Sequence, residues 1–154
     1  MKLKGLIFVS VQMLVLVLMT SRLIHLCYYL NFFNQIQFIN YLGWIFIFSG
    51  AIFAIYSAAF MGNLLTPFPV PKKEHQLIIN GPFSIVRHPI YFGLLMFAIG
   101  ALFVSTDSLV ALLGLILFIT LYFKTKYEEE LLMNLYGEYV EYQKTVKRLI
   151  PFIL

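Results

Sequence analysis

Tyr41 to Met61, YLGWIFIFSGAIFAIYSAAFM, runs without one charged side chain. A helix of that length rises about 30 Å, the thickness of a bilayer's hydrocarbon core. Three further apolar runs accompany it, at about 5–30, 90–105 and 109–123. A chain of 154 residues that is 61% hydrophobic and 12% charged cannot cover itself with polar surface, so its solvent is lipid. The expected fold is therefore all-α and integral to the membrane, one domain with about four transmembrane helices. The third and fourth runs are short for spans, and Thr106, Asp107 and Ser108 alone separate them. That spacing predicts a helical hairpin, with a bent re-entrant pair as the alternative. Lys2 and Lys4 resemble the head of a signal peptide. No small-residue cleavage site follows, and apolar character continues past Arg22, so the first run reads as a retained helix.

The formal charge of +4 invites a nucleic-acid reading, but the cations sit in short clusters between apolar runs, where membrane orientation explains them. With four spans, ten of the 11 lysines and arginines fall on one side and Arg22 stands apart. The expectation is a multi-pass protein with both termini, the connector 62–89 and the tail 124–154 in the cytoplasm. The opposite loop, NFFNQIQFIN, is uncharged. Arg22 and His25 share a helical face near the far end of span one, and either snorkel to the interface or line a cavity. Cys27, the single cysteine, excludes an internal disulfide and reads as packing. Gly50, Ala54, Ala58 and Gly62 form a bare stripe that Gly93 and Gly100 can meet. The stripe serves either an internal or an intermolecular contact, which leaves the oligomeric state open.

Polarity gathers in the connector and the tail. Prolines 67, 69 and 71 disfavour helix, NGPF reads as a turn, and Pro89 suits the first turn of span three. In GPFSIVRHPIYFG, residues 81–93, Arg87 and His88 stand at a helix N-terminus. They either hold an anionic group or serve as a basic anchor with a proline cap. The tail opens with Glu128, Glu129 and Glu130. At 100° per residue these cannot all face one pocket, so one or two turn inward and the remainder is solvated. Leu131, Leu135, Tyr139, Tyr142 and Val146 then follow an amphipathic spacing that Gly137 bends or breaks, predicting a cytoplasmic amphipathic helix. Arg87 either pairs with one of the three carboxylates or faces a bound anion, at the water boundary in both cases.

The ordered set RHP-x-Y-x-G (Arg87 to Gly93), an apolar hairpin, Glu128-Glu129-Glu130-Leu131-Leu132 and the tail YGEYVEYQKTVKRLIP resembles the isoprenylcysteine carboxyl methyltransferase family. His75-Gln76-Leu77-Ile78, twelve residues before the arginine, fits as well, and the resemblance covers about residues 64–154. It implies a membrane methyltransferase using S-adenosylmethionine, with a membrane lipid and a hydrophobic methyl acceptor as partners and no nucleic acid. Carried over by position, the cofactor contacts are His75, Gln76, Leu77, Ile78, Phe83, His88, Pro89, Ile90, Tyr91 and Glu128, with Glu129 beside them. Lys124, Arg87 and His88 stand nearest the chemistry. Two departures are visible: Phe83 replaces a frequent tyrosine, and Lys124 stands where relatives carry an arginine, keeping the charge without the planar fork. Methyl transfer from a sulfonium is an in-line displacement that depends on alignment and desolvation. A carboxylate acceptor needs no base; an amine must lose a proton, with His88 or Glu129 nearest. Phosphatidylethanolamine methyltransferases and the C-terminal parts of sterol reductases share a looser version of the pattern, so an amine-methylating enzyme is the alternative. A non-enzymatic scaffold explains the spans but not the ordered motifs. A metal site from His75, His88 and the glutamates has little support, since two histidines thirteen apart in a proline-rich loop are weak ligand spacing. A reductase relative would need more helices than this chain carries.

Overall fold

The computed structural model of the chain describes residues 2–29, 38–62 and 77–154. Five α-helices follow in order: α1 (Lys2–Tyr29), α2 (Phe38–Met61), α3 (Pro89–Ser105), α4 (Ser108–Leu135) and α5 (Tyr139–Thr145). A 3-10 turn, Gly81–Ser84, precedes α3, and the one recorded β-type pairing is an isolated parallel bridge between Val86 and Lys147. The fold is all-α. Among the described residues three helices are long and apolar enough to cross a membrane: α1, α2 and α4. The fourth, α3, has 17 residues and rises about 25 Å, somewhat short of a ~30 Å hydrocarbon core. Ile45, Phe48, Ile52 and Ile55 stand exposed along α2, which suits a face turned to lipid. Together these features make an integral membrane protein.

Local chemistry sets the helix ends. Pro89 opens α3, where its missing N–H costs nothing. Thr106 closes it in the left-handed region (φ 46°) with its N–H on the Leu102 carbonyl. Asp107 then caps α4 by accepting from the N–H groups of Leu109 (3.0 Å) and Val110 (3.1 Å). The hairpin thus turns on Thr106 and Asp107, one residue tighter than the sequence suggests, because Ser108 already belongs to α4. Beyond Phe123, α4 continues three more turns and carries Lys124 and the three glutamates with it. The amphipathic tail is therefore divided. Its first part is the lower end of α4, and the chain breaks around Gly137 before α5.

Two different seams hold the bundle. On α2 and α3, Gly43 faces Gly100 and Gly50 faces Gly93, and a Cβ on Gly100 would come within 2.5 Å of the Gly43 carbonyl oxygen. The two backbones touch, and the stripe is an internal contact. The stripe read from Gly50 holds through Ala54, which meets Gly93 together with Gly50, and it extends back seven residues to Gly43 rather than on to Gly62. A Cβ on Gly62 would meet nothing within 4 Å. On the other flank α1 lays Val15, Met19 and Leu23 against α4, whose Leu113, Leu117 and Leu121 are buried. Arg22 is partly exposed and paired. Its Nη2 pairs with Asp107 Oδ2 at 3.0 Å, joining α1 to the hairpin turn. That hydrogen bond holds the Asp107 carboxyl below its usual range. Cys27 packs partly buried against the core.

Candidate active site

The segment before α3 is built to be held in place. Gly81 has φ +60°, a backbone conformation that favours glycine, and a Cβ there would have to displace the edge of the Phe60 ring, 2.7 Å away. Pro82 and Val86 are buried, and the Tyr142 hydroxyl donates to the Phe83 carbonyl. Arg87 N–H donates to the Lys147 carbonyl (2.8 Å) and His88 N–H to that of Arg148 (3.1 Å). The last described segment of the chain is therefore stitched to the residues that launch α3.

Glu129 is the centre of the cluster that results. Its side chain is 2% exposed. Arg87 Nε donates to Oε1 at 2.7 Å; Arg148 Nε and Nη2 reach Oε2 at 2.8 and 2.6 Å; the Tyr139 hydroxyl lies 3.3 Å from Oε1. Arg87 Nη1 also donates to the carbonyls of Gln143 and Val146. Two guanidinium groups and a phenol thus saturate one carboxylate, the arrangement that makes burying such charges tolerable. Burial, reinforced by Glu129, pushes the Tyr139 hydroxyl well above the usual phenol range, and burial does the same to Tyr142. Of the two alternatives for Arg87, the structure takes the ion pair. It also removes Arg87 from the water boundary, since the side chain is 8% exposed, wrapped by Glu129 and the carbonyls of Gln143 and Val146.

Glu128, one position earlier and about 100° around the helix, has a different environment. It accepts one hydrogen bond among the described residues, from the Tyr91 hydroxyl at 2.8 Å, and stays 14% exposed. His88 lies between the two carboxylates, with Nδ1 3.5 Å from Glu128 Oε2 and Nε2 3.4 Å from Glu129 Oε1. Its Nε2 is buried without a hydrogen-bond partner among the described residues. The His88 and Tyr91 rings stack at 5.5 Å and 7°. Lys124 Nζ sits 4.8 Å from the centre of the Tyr91 ring and donates to Gln12 Oε1 at 2.7 Å. Glu130 is exposed, as one of three adjacent glutamates must be.

Arg87, His88, Tyr91, Lys124, Glu128 and Glu129 therefore meet in one cluster, from residues up to 42 positions apart. Pro89 and Ile90 form the first turn of α3 beside it, and Phe83 packs 6.5 Å from the Phe60 ring. Leu77 and Ile78 are half-buried at the start of the second described stretch of the connector, while His75 and Gln76 lie outside the described residues. Sequence reasoning missed Gln12, and it gave Arg148 and Tyr139 no individual contact. The signal for Gln12 was present: a lone amide inside LIFVSVQMLVLVLMT is a polar group that lipid will not satisfy.

Above the cluster a cleft of about 370 Å³ runs between α3 and α4, lined by Leu95, Leu102, Gly114 and Phe118, with Phe46 of α2 and Ile150 at its edges. Its lining is apolar. One molecule thus offers a charged cluster at one end of a hairpin and an apolar cleft beside it.

The sequence profile of the phospholipid methyltransferase family matches residues 38–139. Among curated proteins the chain is similar to protein-S-isoprenylcysteine O-methyltransferase B of Arabidopsis thaliana, with 29% identity over 84 residues, 53% of this chain and 43% of that protein. A probable protein-S-isoprenylcysteine O-methyltransferase of Oryza sativa subsp. indica is 29% identical over 125 residues, 78% of this chain and 65% of that protein. The chain spans less than two thirds of the length of either relative. The profile match takes in α2, α3, α4 and every cluster residue except Gln12, Gln143, Val146 and Arg148, and on that match the chain belongs to the phospholipid methyltransferase family.

Proposed function

We propose that this chain is a membrane-embedded methyltransferase that takes its methyl group from S-adenosylmethionine and delivers it to a carboxylate on a hydrophobic acceptor. One observation carries the reading: of two adjacent carboxylates, buried Glu129 is saturated by Arg87 and Arg148, while partly exposed Glu128 accepts, among the described residues, one hydrogen bond from Tyr91 and lies beside the His88 ring. A site holding a cation and hydroxyl donors needs a spare carboxylate with stacked rings next to it, and those residues fit this cofactor. When bound, the cofactor supplies an electrophilic methyl on sulfur.

The chain's own residues orient, desolvate and balance charge. Glu128 accepts from the ammonium or a ribose hydroxyl. The His88–Tyr91 stack and Phe83 offer ring faces. Lys124, 4% exposed and cationic, opposes the acceptor's carboxylate. Displacement at a methyl carbon needs alignment and exclusion of water, and a carboxylate attacks without losing a proton, so no base is required. The names of the plant relatives support an O-methylated cysteine carboxylate, and the apolar cleft beside the cluster suits a prenyl or acyl tail. An amine acceptor, the alternative within the family, would bring a second cation towards Lys124. In this reading the cluster and both termini face the cytoplasm, as the one-sided distribution of lysine and arginine favours.

Calorimetric titration of S-adenosylmethionine into detergent-solubilised protein tests the proposal. Glu128→Gln removes a charge-assisted contact of about 1.5–3 kcal/mol, lowering affinity roughly ten- to a hundredfold, and Glu130→Gln leaves it unchanged. An absence of binding by the parent protein overturns the cofactor; equal affinity for Glu128→Gln overturns the role of Glu128. Labelled methyl found on an S-prenylcysteine ester supports the acceptor class, and labelled methyl on phosphatidylethanolamine nitrogen overturns it.

A further inference from the structure

Gln12 lies on α1, outside the stretch that matches the family profile, yet its Oε1 is the hydrogen-bond partner of Lys124 Nζ at 2.7 Å. Lys124 is 4% exposed in the body of an apolar bundle, a costly location for an ammonium. An opposite charge is within reach, because Glu128 stands one turn further along the same helix, at the i, i+4 spacing from which side chains can meet. Among the described residues that pair is not formed. Lys124 turns instead to Gln12 and to the face of the Tyr91 ring, whose hydroxyl holds Glu128. Two neutral groups, the Gln12 amide and the Tyr91 ring, therefore take the contacts of Lys124 in place of an ion pair with Glu128.

We infer that Gln12 is a positioning residue that keeps Lys124 off Glu128, so that the cation remains for the acceptor and the carboxylate for the methyl donor. The inference rests on the reading that Glu128 meets the donor. It assigns α1 a function beyond anchoring: one amide on it keeps two opposite charges apart. Neutral glutamine suits the task because its oxygen binds the ammonium without adding a charge to the pocket. Phe8, one turn before Gln12, packs near Tyr127 of α4 at 6.3 Å, so the α1 backbone that presents the amide is itself held against α4.

Two measurements on the whole protein in detergent test this. The first is reductive methylation with formaldehyde followed by peptide mass spectrometry, which requires no cofactor. In the parent protein Lys124 reacts far more slowly than exposed Lys126 and Lys147. In Gln12→Leu it stays protected, because Glu128 now pairs with it, and adding Glu128→Gln to that variant raises its rate towards theirs, whereas Glu128→Gln alone, with Gln12 in place, does not. A rise in Glu128→Gln alone, or no rise in the double variant, overturns the inference. The second is cofactor calorimetry. Gln12→Leu lowers S-adenosylmethionine affinity about tenfold as Lys124 falls onto Glu128, the loss expected when a charged contact is occupied internally. In a Lys124→Met background the same change has no further effect, because there is no cation left to release. An equal loss in both backgrounds means that Gln12 acts through general packing and overturns the inference. Failure of the parent protein to bind the cofactor removes the proposed function instead, and the labelling arm still decides whether Gln12 holds Lys124.

Discussion

The α2–α3 seam and the Glu129 cluster lie at opposite extremes of how a membrane protein is held together. At the seam, contact is made by what is missing. Gly43, Gly50, Gly93 and Gly100 carry no side chain, and the backbones close on each other with carbonyl oxygens where Cβ atoms would stand. At the cluster, contact is made by what is added: one carboxylate with two guanidinium groups and a phenol around it. The seam tolerates no addition and the cluster no removal. Lipid explains the division. Apolar side chains gain little by leaving one hydrocarbon for another, so helices within the membrane adhere by close backbone approach. Where the helices emerge, paired charges can bear the load instead.

Three substitutions sharpen that contrast or break it, each followed by thermal unfolding in detergent. Glu129→Ala should cost most, about 3–5 kcal/mol, because it strands two largely buried guanidinium groups. A loss below ~1 kcal/mol would mean that water or the carbonyls of Gln143 and Val146 already satisfy Arg87 and Arg148, and the cluster would not be structural. Gly100→Ala should come next, at about 1–3 kcal/mol, since its Cβ would press on the Gly43 backbone, which has no rotamer to yield. A neutral result would show that α2 and α3 slide apart without penalty. Gly114→Ala should have the smallest effect and the opposite sign. Its Cβ would find its nearest neighbour at an ordinary 3.9 Å from Ala98, so helix propensity should add up to about 1 kcal/mol of stability. Destabilisation there would put a third tight seam between α3 and α4.

Features with local causes were legible in the sequence. Uncharged runs announced helices in lipid, Thr106 to Ser108 a turn, and Pro89 the first turn of α3. That Glu128, Glu129 and Glu130 must diverge followed from helix geometry alone. Which of them would be saturated did not follow, because it depends on Arg148 and Tyr139, brought in by a chain reversal after Gly137. Pairings across the fold were equally hidden. Arg22 meets Asp107 over 85 residues and Gln12 meets Lys124 over 112, and neither partner leaves a mark near the other in sequence. The seam was half legible: Gly50, Ala54, Gly93 and Gly100 were evident, but Gly43, which meets Gly100, lay outside the stripe as read, and Gly62 lies outside the contact.

Arg87 also imposes an order on assembly in time. Its carboxylate partner follows it by 42 residues and the Val146 carbonyl by 59. A ribosome adding roughly 5–20 residues each second needs several seconds to cover that distance. Throughout that delay the nascent chain carries an unpaired guanidinium directly ahead of an apolar segment, the kind of charge that resists translocation and fixes which way a hairpin inserts. When Glu129 and the residues around Arg148 are finally made, the same group is withdrawn into the protein. Under the cytoplasmic placement proposed above, one side chain would serve first as a topogenic signal and afterwards as a buried counter-ion, and substituting it should disturb insertion before it disturbs the finished molecule.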